Sequence, residues 1–383
     1  MKILVISNYY PPHYIGGYEL ACFNTVEYLK KSGHQVFVLT GDYLQKSHSF
    51  DQVCRKLKYI NYDKPSFWDK HQVEVHNYKL TQNIIKDFSP DIVYLWSLRL
   101  ISLSPAMAVQ NLHIKKIFEI GDFWMKGYLS SNFLSKIKRA IKNILPFTIG
   151  SKVELSPAIC VSKWVAKEME NTYGTKQIHI IPNGTNIIQK SKKKLNKKIK
   201  YMFCGRADYT KGIDIALKAL GNLKDRGIDN FVFNIYGSGD TLYINKCKNI
   251  VNALKLNNQV TFFGKTDEIQ KLYSQHDILL MPTRMKEPFG LVIIEAMAAG
   301  VVVIATNAYG PAEIINNNKD GLLFKEEDVT DLTNSILKLH NNKYLYHKLR
   351  DEAFYKVFNK YNLKNVKKRV EDVLLDIVCK DET

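Results

Sequence analysis

The chain has 383 residues, a hydrophobic fraction of 45% and a formal net charge of +18 at pH 7. That length exceeds one ordinary core and suits two domains of roughly 150–200 residues each; the apolar fraction is that of a globular protein and excludes wholesale disorder. No run of 18 apolar residues occurs, so no membrane-spanning helix is expected.

The positive charge admits three acidic partners: nucleic acid, an anionic membrane surface or an acidic small-molecule substrate. A lysine-rich proteome is the plain alternative. No arginine-rich groove motif or aromatic-interleaved basic stripe accompanies the lysines, so nucleic acid is not expected as a partner. Six cysteines (Cys22, Cys54, Cys160, Cys204, Cys247, Cys379) without a CxxC pair fit reduced thiols in a cytosolic protein.

Met1–Ser7 is too short for a secretory hydrophobic region and runs into Asn8-Tyr9-Tyr10-Pro11-Pro12, which fits a first strand rather than a signal peptide. Further strands are predicted at Gln35–Thr40, Asp91–Trp96, Lys116–Ile120 and Ala158–Ser162, with helices such as Glu19–Lys31 and Ser162–Thr172 between them. The second half repeats the scheme with strands at Lys200–Gly205, Phe231–Gly237, Gln259–Gly264, Ile278–Pro282, Val301–Thr306 and Gly321–Phe324. Its helices fall near Ile213–Arg226, Thr241–Leu254, Glu268–His276, Leu291–Ala299 and Val329–His340. Strands alternating with helices mean parallel sheets, here an α/β chain of two Rossmann-like domains facing across a cleft. The expected domains are 1–186 and 187–345, joined through the lysine-rich stretch near 186–198, with a helical segment 346–383 packing back on them.

Three elements could carry chemistry. Gly16-Gly17, followed by Glu19, lies in the first strand-to-helix loop without the GxGxxG spacing of a dinucleotide site; it lets backbone approach a phosphate, or is a plain turn. Gly205-Arg206 and Lys211-Gly212 bracket the next such loop, where a planar fork and a mobile ammonium can converge on one diphosphate. The third is Glu287-Pro-Phe-Gly-Leu-Val-Ile-Ile-Glu295-Ala-Met-Ala-Ala-Gly300. Glu295 stands in a helix apolar on every side, and an unpaired carboxylate there would cost several kcal/mol. Backbone amides could satisfy it structurally. Alternatively a ligand does: the Phe289-Gly290-Leu291 amides hold a diphosphate at the helix N-terminus, Glu295 a ribose diol and Glu287 the hydroxyls of a sugar.

These motifs, with Pro282-Thr-Arg-Met-Lys before Glu287, Pro311-Ala-Glu313 and Asp320-Gly321-Leu322-Leu323 after it, resemble the family 4 glycosyltransferases of the GT-B fold over essentially the whole chain. The resemblance implies a retaining, metal-independent sugar transfer from a nucleoside-diphosphate sugar, with no further cofactor. It implies that Arg206 and Lys211 neutralise the diphosphate, that Glu287 contacts the donor sugar, and that Glu295 contacts the ribose. Pro282, Phe289, Gly290 and Leu291 would complete the donor site, and Gly16 and Gly17 would close over it. No Asp-x-Asp occurs, so cationic side chains and helix amides would stand in for a metal.

Two departures concern the sugar and acceptor. Where the family often has His-Asp after the fourth strand of the first domain, this chain has Gly121-Asp122-Phe-Trp124; Tyr309-Gly310 replaces a usual Gly-Gly. Asp122 remains a catalytic candidate, and Asp122, Trp124 and Glu313 are the acceptor-side candidates. The segment Phe133–Phe147 is basic and apolar at helical spacing, as an interfacial helix on an anionic bilayer or a domain helix with a solvated basic face would be. The expected acceptor is a cell-surface glycan or a lipid-linked molecule, and the expected place is the cytoplasm, peripherally at the inner face of the membrane. A catalytically degenerate membrane-docking module and a sugar-nucleotide epimerase are the alternatives.

Overall fold

The structure, a computed structural model, describes residues 1–42, 52–60, 66–129, 153–187, 195, 197–266 and 268–379. It divides into two compact units, Met1–Ile181 with Lys367–Thr383, and Pro182–Val366. The segment Phe133–Phe147 and most of the lysine stretch 186–198 lie outside the described residues.

In the first unit the strands are β1 (Lys2–Ser7), β2 (Gln35–Gly41), β3 (Val53–Leu57), β4 (Ile92–Leu95), β5 (Lys116–Ile120), β6 (Ala158–Cys160) and β7 (Ile178–Ile180). They form one parallel sheet in the order β3-β2-β1-β4-β5-β6-β7. The central strands are apolar without alternation because helices cover both faces; Ile3–Ile6 and Ile92–Leu95 are fully buried. A helix at Phe67–Phe88, absent from the predicted elements, starts on a capping box in which the Ser66 hydroxyl accepts from the Asp69 amide and Asp69 accepts from the Ser66 amide.

The second unit holds β8 (Ile199–Cys204), β9 (Phe231–Tyr236), β10 (Val260–Gly264), β11 (Ile278–Met281), β12 (Val302–Thr306) and β13 (Leu322–Phe324). Their order, β10-β9-β8-β11-β12-β13, is also all parallel. Both sheets thus have the doubly wound order 3-2-1-4-5-6, the first with one strand added. Tyr201, Phe203, Phe231, Phe233, Leu217 and Leu220 form the centre of the second core.

The segment 346–383 is divided between the units. The helix Lys343–Lys360 puts Tyr346 and Leu349 into the second core. From Lys367 the chain counts with the first unit, where Glu371 accepts from Tyr28 at 3.2 Å and meets His34 at 2.8 Å, and Lys115 donates to the Val378 carbonyl at 2.6 Å.

Chain order reverses beside β1 in one sheet and beside β8 in the other. Beyond the carboxyl ends of such strands the flanking loops splay apart and leave room for a ligand. In the second unit those loops follow β8 and β11.

Candidate functional site

The loop after β8 is held by glycines. Gly205 has φ 151°, and a Cβ on Gly237 would stand 1.7 Å from its carbonyl oxygen, so the ends of β8 and β9 meet backbone to backbone. Asp208 accepts from the Thr210 amide at 2.9 Å and opens the short turn Tyr209–Lys211. Gly212 follows with φ 70°; a Cβ there would lie 1.9 Å from the Pro282 carbonyl oxygen. Pro282, expected to contact the donor, therefore braces the lysine loop through its carbonyl.

Lys211 and Glu287 meet in an ion pair of 2.6 Å, their side chains 17% and 15% exposed. Arg206 does not join them. It is 65% exposed and lies 3.4 Å from Asp208. Residues 287–290 are set by Gly310, whose amide donates to the Glu287 carbonyl at 3.0 Å. A Cβ on Gly310 would come within 2.6 Å of Phe289 backbone atoms, so the residue before Pro311 has to be glycine. Phe289 is buried edge-on against Tyr361. Gly290, at φ 106°, caps the helix Leu291–Ala298 and its carbonyl accepts from the Ile293 amide at 2.9 Å, which leaves the amides ahead of Ile293 at the positive end of the helix dipole.

That helix is not buried on every side, as its composition led us to expect. Leu291, Val292 and Glu295 are partly exposed and share one face, while Ile293, Ile294, Ala296, Met297 and Ala298 are buried. Glu295 is met by the hydroxyl of the fully buried Tyr273, which donates to Oε2 at 3.0 Å, and by the Gln270 side chain. Burial nevertheless pushes its carboxyl up to about 7. The same surroundings, with the Glu295 charge nearby, push the Cys204 thiol up to about 12. Glu313 is half-buried on the short helix Tyr309–Ile314.

In the first unit the Gly16 amide is already taken: the Glu19 carboxylate accepts from it at 2.9 Å across the first turn of the helix Gly17–Lys31. A Cβ on Gly16 would meet nothing within 4 Å. Asp122 pairs with Arg99 at 2.8 Å and accepts from the Trp124 amide at 3.0 Å. Burial raises its carboxyl, while Arg99 and that amide pull it back. The Trp124 side chain is itself buried, which leaves it little surface for an acceptor. Gly121 has a local cause. A Cβ there would lie 2.4 Å from Cε2 of Tyr18, whose hydroxyl donates to the Glu119 carbonyl, so Tyr18 fills the space a histidine would need.

Four contributors escaped sequence reasoning: Tyr273, Arg284, Arg99 and Tyr18. Each acts on a partner distant in the chain, Tyr273 by 22 residues, Arg284 by 70, Arg99 by 23 and Tyr18 by 101, and no periodicity reports that.

Residues 15–188 match the Glycosyltransferase Family 4 and residues 185–355 match the Glycosyl transferases group 1. The chain belongs to the group 1, family 4 glycosyltransferases. An uncharacterised glycosyltransferase of Methanocaldococcus jannaschii is 25% identical over 97% of this glycosyltransferase and 97% of its own length. A Rickettsia africae glycosyltransferase shares the fold with TM-score 0.75 and 22% identity over 98% of both chains. Anabaena HepE, solved in complex with UDP, does so with TM-score 0.75 and 18% identity over 98% of this chain and 100% of HepE. The fold is GT-B. Among the described residues no helix is long and apolar enough to cross a membrane, and no group of three His, Cys, Asp or Glu side chains could hold a metal ion.

Proposed function

We propose that this glycosyltransferase moves a sugar from a nucleoside-diphosphate sugar to a glycan or lipid-linked acceptor at the cell surface, with retention at the anomeric carbon and without a metal. One observation carries the reading: the Lys211–Glu287 pair and Glu295 stand on the two loops and the helix that flank the β8/β11 reversal. There Lys211 and the amides of residues 289–291 face the diphosphate, with Arg206 free to swing in from its exposed position. Glu295 accepts from the ribose diol and Glu287 from a sugar hydroxyl. The bond from C1 to the β-phosphate oxygen breaks with its electron pair on the phosphate. The acceptor oxygen bonds to C1 on the same face, and its proton passes to the departing phosphate. Rate then comes from holding two substrates together and from charge stabilisation by Lys211 and the helix amides.

On the acceptor side, Asp122 orients a hydroxyl, with Arg99 fixing its carboxylate. Glu313, on the short helix that follows β12, is the second acceptor-side residue. Peripheral contact with an anionic membrane rests on the charge of +18.

Calorimetry against UDP, GDP, ADP, CMP and dTDP tests the donor class. Binding of one of them, lost in Glu295→Ala and weakened in Arg206→Ala, is the expected result; no binding by the folded wild type would sink the proposal. Product NMR decides retention, and activity in chelator decides metal independence. A second reading, a binding module without turnover, draws on the Tyr18 ring in place of a histidine. It predicts donor binding with no single-turnover transfer to any lipid or glycan acceptor.

A further inference from the structure

We infer that Arg284 is a positioning residue that sets where the Lys211 ammonium stands; its consequence for the donor diphosphate rests on the function proposed above. A lysine ammonium on a four-carbon stem is mobile, so its place is fixed by its backbone and by what pairs with it. Arg284 grips that backbone from both sides. Its guanidinium, 11% exposed, forms a two-pronged pair with Asp214, Nη1 to Oδ1 at 2.8 Å and Nη2 to Oδ2 at 2.9 Å. Nη1 also donates to the Tyr209 carbonyl at 3.0 Å, and the guanidinium carbon lies 4.2 Å from the Tyr209 ring centroid. One side chain thus holds the residue two before Lys211 and the residue three after it.

The main chain adds to the grip. The Thr210 carbonyl accepts from the Arg284 amide at 2.8 Å, the Met285 amide at 3.1 Å and the Thr283 hydroxyl at 3.1 Å. Asp214 is buried and in turn accepts from the Tyr243 hydroxyl at 2.6 Å, while Nε of Arg284 meets Glu327 at 3.2 Å. Every named contact except those of Glu327 and Tyr243 fixes residues 209–214 against the loop that follows β11, which also carries Glu287. Arg284 therefore ties together the two loops whose side chains form the Lys211–Glu287 pair. A lysine at 284 would keep the charge and lose the fork and the stack.

The test uses the full chain and two readouts. In the ligand-free protein, acetylation of Lys211 by an amine-reactive ester is followed by mass spectrometry, with the exposed Lys167 of the first unit as internal standard. Arg284→Ala is expected to raise the Lys211 rate relative to Lys167 at least fivefold, and Arg284→Lys, the variant kept in case truncation unfolds the unit, to raise it by less. Unchanged relative rates in both folded variants would overturn the inference. In calorimetry with the best-bound of UDP, GDP and ADP, Arg284→Ala is expected to weaken the diphosphate roughly 10- to 100-fold, a loss of the size a misplaced group produces, and the matching nucleoside less than twofold. Added to Lys211→Ala, it should cost nothing further, because two residues acting through one contact are not additive. Equal losses for diphosphate and nucleoside, or additive losses, would mean general loosening and would also overturn it. A wild type that binds no nucleoside diphosphate while the acetylation contrast stands would sink the donor reading and leave Arg284 as the residue that sets Lys211.

Discussion

Glu287 and Lys211 neutralise each other at 2.6 Å, so any diphosphate that takes Lys211 must be held beside a carboxylate. Glu287→Gln removes the charge and keeps the shape. A phosphate oxygen on the far side of the same ammonium would lie roughly 4–5 Å from the Glu287 oxygen, given ordinary charge-assisted distances of about 2.8 Å. At an effective dielectric of about 20, each unit charge at that distance is opposed by about 3–4 kcal/mol. Both side chains are about one-sixth exposed, and the freed ammonium must also be resolvated, so about 1–2 kcal/mol of net relief is expected. That is a gain of roughly 5- to 30-fold in affinity for a sugar-free nucleoside diphosphate. The intact sugar nucleotide should gain less, since its hydroxyl trades a carboxylate acceptor for a weaker amide one, and turnover should fall. Calorimetry of wild type and variant with diphosphate and sugar nucleotide at two salt concentrations measures all of this. A variant that binds the diphosphate no better than the wild type would refute the claim that Glu287 competes with it for Lys211.

Glu295 should make donor binding depend on pH. Its carboxyl, pushed by burial to about 7, offers both oxygens as charged acceptors to a diol only when ionised, so affinity should climb as pH rises through about 7 and level off near 8, with Glu295→Gln showing a flatter curve. For folding the sign is opposite: an acid whose folded value lies above its ordinary 4.5 binds its proton more tightly when folded, so its stabilising contribution falls between about 4.5 and 7. Urea melts should show Glu295→Gln gaining up to about 2–3 kcal/mol on wild type between pH 5 and pH 8, and no gain would place the carboxyl in water. Gly212→Ala meets the Pro282 oxygen at 1.9 Å and should cost about 3 kcal/mol or more, whereas Gly174→Ala, at φ 64° with nothing within 4 Å, should cost only about 1–2 kcal/mol; equal losses in thermal melts would remove the close approach as the cause. Gly121→His should destabilise by about 1–3 kcal/mol through overpacking against Tyr18, and Tyr18→Ala in the same chain should recover part of it.

Most of the fold was legible because the strands that matter most are the least ambiguous. Ile3–Ile6 in β1, Ile92–Leu95 in β4 and Ile278–Met281 in β11 are unbroken apolar runs buried on both faces, and β8 has one from Tyr201 to Phe203. The strands that escaped notice are β3, Val-Cys-Arg-Lys-Leu, and β7, three residues around His179. Both lie at the sheet's edges, where half-exposure tolerates charge and shortness and so erases the pattern. The helix Phe67–Phe88 carried a visible signal, Ser66 three residues before Asp69.

The carboxylates of the candidate site were legible, but their difference was not. Glu287 and Glu295 look alike in sequence, eight positions apart around one turn. Folding gives Glu287 a cation and gives Glu295 a tyrosine hydroxyl and an amide, and burial drives the Glu295 carboxyl up. A carboxylate already paired with an ammonium adds no net charge to the site, so an anionic donor loses little by approaching Glu287 until it takes Lys211 away. A half-buried acid with neutral partners can hold a ligand without repelling it only where that ligand brings donors and no charge. On the function proposed above, a neutral diol goes to Glu295 and a charged diphosphate to Lys211. That division follows from Tyr273 and Arg284, two side chains the spacing of motifs could not reveal, which is why the residues were readable and their electrostatics were not.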